Sequence, residues 1–222
     1  MPEAHWHVLT MGHLSRNTFW GESDDRAYRA PLCTTTLIQH GGRTIVVDPG
    51  CPPDEMVRVL HQRTGLRPKA VDTVFLTHFH ADHRVGLTAF PQARWCMAAP
   101  EIAAWTEQVA LDSPEQHLLI QLEPVVDELV PGLALLPTPG HTSAHTSLIF
   151  SSAGWRVVVA GDAVMTHDFF LARDVYFNTV DRTAAVKSIA CIAEEADLVV
   201  PGHDNYFLNR RHSGRERGGT GD

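Results

Sequence analysis

The chain has 222 residues, 44% of them hydrophobic, enough for one substantial core. Its formal charge of -8 argues against a broad nucleic-acid footprint, which needs a basic surface, and no apolar run reaches bilayer-spanning length. Cys33, Cys51, Cys96 and Cys191 show no paired spacing, and the N-terminus lacks a basic segment followed by an apolar one, so a cytoplasmic, reduced protein without membrane partners is expected.

In chain order, His5 to Thr10 reads as a first strand, with His5 and His7 on a solvent face. Residues 14–31 are polar and irregular, a long loop and a candidate wall or flap of a site. Residues 32–40 and 43–48 pattern as a hairpin turning at Gly41-Gly42 and ending at Asp48-Pro49-Gly50. Cys51 follows that turn and is a candidate for a site mouth. Asp48 is either a turn residue or a carboxylate that orients a neighbouring loop. Residues 53–64 have helical spacing up to Gly65. A buried strand at 71–76 precedes a short helix from Asp82 to Thr88. Strand 94–97 and a helix from Glu101 to Val109 follow. Residues 110–117 read as a loop and 118–136 as short antiparallel strands. Strands at 145–150 and 155–160, an irregular stretch at 163–180, a helix near 183–196 and a strand at 197–201 complete the order. Residues 1–209 are expected to form one domain, and the Arg- and Gly-rich residues 210–222 a flexible tail.

The chemistry concentrates at strand ends. Thr77-His78-Phe79-His80-Ala81-Asp82-His83 puts four ligand-type side chains within six residues after an apolar strand. His78 and His80 are two apart, so an extended backbone sends both rings the same way. His141 follows a rigid Pro137-Thr138-Pro139-Gly140 turn, Asp162 follows Val157 to Gly161, and His203 follows Val199 to Gly202. Imidazole and carboxylate together suit zinc, manganese or iron. The expected division is His78, His80 and His141 on one ion, and Asp82, His83 and His203 on another, with Asp162 as bridge. Two such ions, zinc first and manganese or iron as alternatives, would share a hydroxide that serves as nucleophile. Asp82 is also the candidate to accept a proton from it. His145 is a candidate to support the His141 loop, and His167 and Tyr176 are candidates to touch substrate. His13, His40, His61, His117 and His212 read as surface residues.

These motifs resemble the metallo-β-lactamase superfamily, whose loop signature is His-X-His-X-Asp-His. The likeness runs from Val46 to Gly50 through His141 and Asp162 to His203. It implies a mixed α/β, four-layer αββα sandwich with metals at one edge. β-Lactamases of the commonest class carry a cysteine where Asp162 stands, and glyoxalase II adds a C-terminal helical domain for which no room is left after His203. The run Gly140 to Leu148 is similar to the acyl-homoserine lactonase type. At the position where that type carries a tyrosine, this chain has Met165; Tyr176 is the candidate replacement. Val157 to Asp162 and Val199 to His203 are similar to the metallo-β-lactamase domain-containing protein 1 type.

The expectation is therefore a dinuclear hydrolase of a small ester or lactone. A phosphodiesterase or nuclease with the same metals is one rival, and an oxygenase using a single iron is the other. The partner is a small molecule; nucleic acid is disfavoured, and the sequence is compatible with a homo-oligomer.

Overall fold

The computed structural model describes residues 3–22 and 25–209. The tail expected at 210–222 lies outside the described residues. Twelve strands form two six-stranded sheets among those described.

The first sheet has the order β1 (His5–Thr10), β2 (Thr35–His40), β3 (Arg43–Val47), β4 (Thr73–Leu76), β5 (Arg94–Ala98) and β6 (Glu123–Val125). β1 to β3 pair antiparallel, and β3 to β6 pair parallel. Gly41 and Gly42 both take positive φ, 57° and 77°, as a two-residue hairpin of matching twist requires. The second sheet joins β7 (Glu128–Val130), β8 (Leu133–Pro137), β9 (Thr146–Ser152), β10 (Trp155–Gly161), β11 (Leu198–Pro201) and β12 (Phe207–Leu208).

Alternation along the strands builds the layers. Ile45, Val47, Phe75 and Cys96 pack against Leu133, Leu148, Val157 and Val200 between the sheets. Val46, Val74, Leu76 and Met97 face outward instead, onto Met56 and Leu60 of α1 (Pro53–Thr64) and Ile102 and Trp105 of α3 (Ala99–Thr106), with α2 (Ala81–Arg84) lying between these helices in sequence. On the opposite outer face, Val158, Ala160 and Val199 meet Phe170 of α5 (His167–Ala172) and Ile189, Ile192 and Ala193 of α6 (Arg182–Glu195). Two sheets face to face with helices outside each give the expected α/β sandwich.

Several expectations need correction. Residues 114–119 are not loop or strand but a helix, α4 (Pro114–Leu119), with Ser113 accepting from Gln116 N and Pro114 at the first position. Part of the stretch 163–180 is helical, as α5. β6 pairs parallel with β5, so residues 118–136 are not wholly antiparallel. The helix expected from Asp82 to Thr88 is the single turn of α2 followed by a 3-10 turn at Leu87–Ala89. His40 is buried, its Nε2 2.9 Å from Pro131 O, rather than at the surface. The four cysteines are free, as their spacing implied.

Candidate metal centre

Both sheets bring ligand-type residues to one edge. β4 is buried on both faces and lies between two parallel neighbours, so the chain must leave the sheet at Thr77 and turn into α2. That turn carries His78, His80, Asp82 and His83. β10 and β11 run parallel and deliver Asp162 and His203 side by side. The turn between β8 and β9 presents His141, and Thr146 N donates to Thr77 O (3.1 Å), fastening the two loops together.

Two glycines make the approach feasible. Gly140 takes φ 135°, and a Cβ there would lie 2.2 Å from Ala185 N at the start of α6. At Gly202 a Cβ would lie 2.1 Å from Asp162 Oδ1.

Seven predicted residues converge as two groups, His78, His80, His141 and Asp162, and Asp82, His83 and His203. His80 Nδ1 is 3.0 Å from His78 Nε2 and 2.9 Å from His141 Nε2. Tetrahedral zinc with Zn–N bonds of about 2.0–2.1 Å separates its nitrogens by about 3.3 Å, so this spacing suits a shared ion. Asp162 faces both groups. Its Oδ2 is 3.2 Å from His141 Nε2 and 3.8 Å from His78 Nε2, and its Oδ1 is 3.1 Å from His83 Nε2 and 3.3 Å from His203 Nε2. His203 Nε2 also lies 3.6 Å from Asp82 Oδ2.

The outer ring nitrogens fix which lone pairs point inward. Asp48 has φ 50°, a left-handed conformation that aspartate tolerates better than most residues. Its carboxylate accepts from Thr77 N (2.8 Å), Thr77 Oγ1 (2.7 Å) and His83 Nδ1 (2.9 Å). Asp48 is therefore both a turn residue and a buried acceptor for the histidine loop. The Thr77 hydroxyl, its proton given to Asp48, accepts from His78 Nδ1 (3.1 Å). His203 Nδ1 donates to Leu32 O (2.9 Å). Each of these rings turns Nε2 inward.

Electrostatics sets the two groups apart. Burial lowers the pKa of His78, His80 and His141, the last to about 4. Burial is the largest influence on His83 and His203 too and opposes their charge. Asp162, together with Cys33 and Asp48 beside His83 and with Asp82 beside His203, outweighs it and raises both, His83 well above the ordinary value. The same histidines overcome burial to hold Asp162 well below the ordinary carboxylate range. The donor set fits a cation by geometry as well. His83 Nε2 and Asp162 Oδ1 are buried and 3.1 Å apart, yet neither has a partner in hydrogen-bond geometry, so both are aimed at a common point.

The remaining candidates divide. His145 is buried beside the His141 loop, its Nδ1 2.9 Å from Thr138 Oγ1 and its ring 5.1 Å from that of His78. Tyr176 borders a cavity of about 250 Å³ that opens onto His80, Asp82, Asp162 and His203. Its hydroxyl is 3.1 Å from Ser15 Oγ and donates to Arg16 O at 3.1 Å, so Tyr176 ties residues 174–178 to the long N-terminal loop. Leu14, Ser15 and Pro31 of that loop also line the cavity, and Met165 packs with Tyr176 and Leu14. His167 is not brought to the site. Its ring stacks on Phe207 at 4.2 Å and lines a separate cavity between α5 and α6. Glu101, absent from the expected set, is buried behind the ligand loops. Only its place in the first turn of an apolar helix could have drawn notice to it.

The family model for the metallo-beta-lactamase superfamily matches residues 29–203. The chain belongs to the metallo-beta-lactamase superfamily. Among its curated superfamily relatives, an N-acyl homoserine lactonase from Bacillus sp is 31% identical over 164 residues, 68% of this chain and 62% of that protein. The chain thus spans less than two thirds of the lactonase's length. Metallo-beta-lactamase domain-containing protein 1 of Xenopus laevis is 31% identical over 81% of this chain and 73% of its own. Among superfamily structures, an N-acyl homoserine lactone hydrolase with N-hexanoyl-L-homoserine at its catalytic metal centre superposes with a TM-score of 0.69. It is 22% identical and covers 91% of this chain and 93% of its own, a likeness of fold.

Proposed function

We propose that this chain is a dinuclear metal-dependent hydrolase of a small ester or lactone. The observation that carries the reading is Asp162, which turns one carboxylate oxygen to each group of histidines at 3.1–3.3 Å. A single bound ion would use one of those oxygens and leave the other facing its histidine nitrogens with no ion between them. The relatives named as lactonases and the cavity wall of Leu14, Met165 and Tyr176 support an uncharged acyl substrate.

His78, His80 and His141 would hold one divalent ion, and Asp82, His83 and His203 the other, with Asp162 between them. The nitrogen and oxygen donors suit zinc, and manganese or iron are the alternatives. When bound, the pair supplies Lewis acidity to a carbonyl oxygen and lowers the pKa of water toward neutrality.

The rest falls to the chain. In hydrolysis a water oxygen adds to the acyl carbon, the acyl C–O bond breaks, and the leaving oxygen gains a proton. Asp82 is suited to carry that proton on the carboxylate oxygen not turned to the ion. Its side chain is 24% exposed while the other expected ligands named in these ion pairs are nearly closed off, and it borders the cavity. Asp48 and Leu32 O keep the His83 and His203 rings from turning as charge develops. Tyr176 and Met165 form the wall against which an acyl chain rests.

The zinc-loaded protein should be assayed against a lactone, a thioester, a phosphodiester and a β-lactam. Lactone or simple ester turnover exceeding the other three is the expected result. Turnover of the phosphodiester alone would overturn the reading in favour of a nuclease, and turnover of none would overturn hydrolysis.

A further inference from the structure

Three carboxylate residues are buried among the described residues, Asp48, Asp162 and Glu101, and only Glu101 is fully so. The first two belong to the metal centre. Glu101 stands in the first turn of α3 with no exposed surface and no cationic partner among the described residues, a costly placement unless its oxygens are satisfied. Its Oε1 accepts from Trp105 Nε1 (2.8 Å) and its Oε2 from Ala144 N (3.1 Å). Burial pushes its pKa up, and these two donors, the Phe79 N–H and the Thr142 hydroxyl work against that rise, although Thr142 Oγ1 completes no hydrogen-bond geometry.

Apart from Trp105, which is on α3 itself, those donors lie on the loops that carry the three-histidine group. Phe79 sits between His78 and His80, and Thr142 and Ala144 follow His141. Trp105, held by Glu101, sets its ring edge-on to His80 at 5.6 Å and against Phe79 at 5.5 Å. Arg84 secures Phe79 from the other side, donating through Nε to Phe79 O (2.9 Å) with its guanidinium 4.5 Å over the ring.

The three-histidine group needs such a hold. His83 and His203 are fixed by hydrogen bonds on Nδ1, but His141 Nδ1 is buried with no partner. The ring's nitrogens meet partners only at Nε2, inside the centre, so outside it the loop must set the angle of His141.

We propose that Glu101 is a positioning residue for the three-histidine metal position, clamping the His141 loop through Ala144 N and the His80 ring through Trp105. This rests on the two-metal reading above. Every group facing the carboxylate is a donor, which an acceptor-only side chain satisfies. Glu101→Gln keeps the volume but points an –NH₂ at a donor, so a role in packing alone predicts no change.

The test is zinc affinity by chelator competition, in the His203→Ala background where the other position is crippled. His203→Ala should retain one zinc ion. Adding Glu101→Gln should weaken it roughly 10- to 100-fold, as loss of a partner supporting a ligand does elsewhere. In the otherwise wild-type chain the same change should loosen one of two zinc ions. Unchanged affinity, or equal loosening of both ions, would overturn the proposal. Should Glu101→Gln fail to fold, Trp105→Phe keeps the ring and removes one donor; several-fold weakening supports the clamp and unchanged affinity overturns it. Wild-type protein binding fewer than two zinc ions would overturn the two-metal reading and this inference with it, a result visible without touching Glu101.

Discussion

The two halves of the centre are held by different means. His83 and His203 are oriented one by one, through Nδ1 to Asp48 and to Leu32 O, and carry raised pKa values beside Asp162. His78, His80 and His141 are kept neutral by burial, and of these His141 has no hydrogen bond on its outer nitrogen. One half is oriented ring by ring; in the other His78 shares the Asp48–Thr77 chain through its Nδ1, while His141 depends on a loop packed against α3. Single-residue changes should therefore act selectively.

The largest selective effect is expected at Asp48. Asp48→Ala removes the acceptor for His83 Nδ1 and for both donors of Thr77. Zinc affinity at the Asp82, His83 and His203 position should fall roughly 10- to 100-fold, and by less at the three-histidine position, where Asp48 reaches only His78 and only through Thr77 Oγ1. Chain stability should fall by about 1–3 kcal/mol for each buried donor left unpaired. Chelator competition and denaturant titration measure the two; equal loss at both positions would erase the distinction.

A smaller effect separates the halves by pH in metal-free protein. His78, His80, His141 and His145 have lowered pKa values, so below the unfolded value of about 6.5 the unfolded chain binds more protons and stability falls as pH falls. His83 and His203 act oppositely: their contribution is full below about 6.5 and is lost as pH rises through their raised values. Glu101, whose pKa burial raises, acts with His83 and His203. Four groups against three still predict a lower melting temperature at pH 5 than at pH 7, and a higher one at pH 5 would contradict this balance.

The smallest effect belongs to the cavity wall. Tyr176→Phe keeps the ring but frees residues 174–178 from Ser15 and Arg16 O. About 1 kcal/mol of stability should go, and KM for an acyl substrate should rise a few-fold with metal content intact. Loss of zinc in this variant would place Tyr176 in the centre itself.

Much of this was legible in the sequence because the ligands stand at strand ends, where apolar runs stop and Pro or Gly turns begin. His78 to His83, His141, Asp162 and His203 all carry that signal. The six-residue helices α4 and α5 were not legible, being too short to display helical periodicity. His167 was misplaced because closeness to Asp162 in sequence says nothing of where a ring turns after α5 begins. Glu101 was hidden because a charged residue in the first turn of a helix ordinarily faces solvent. Its burial arises from packing between α3 and a loop some forty residues away.

The central claim is that Asp162 joins two metal positions. Elemental analysis of the purified chain and of Asp162→Ala tests it most directly. Two divalent ions per wild-type chain, with fewer in the variant and loss of lactone or ester turnover, is the predicted result. One iron per wild-type chain, unchanged in the variant and accompanied by no hydrolysis, would contradict it.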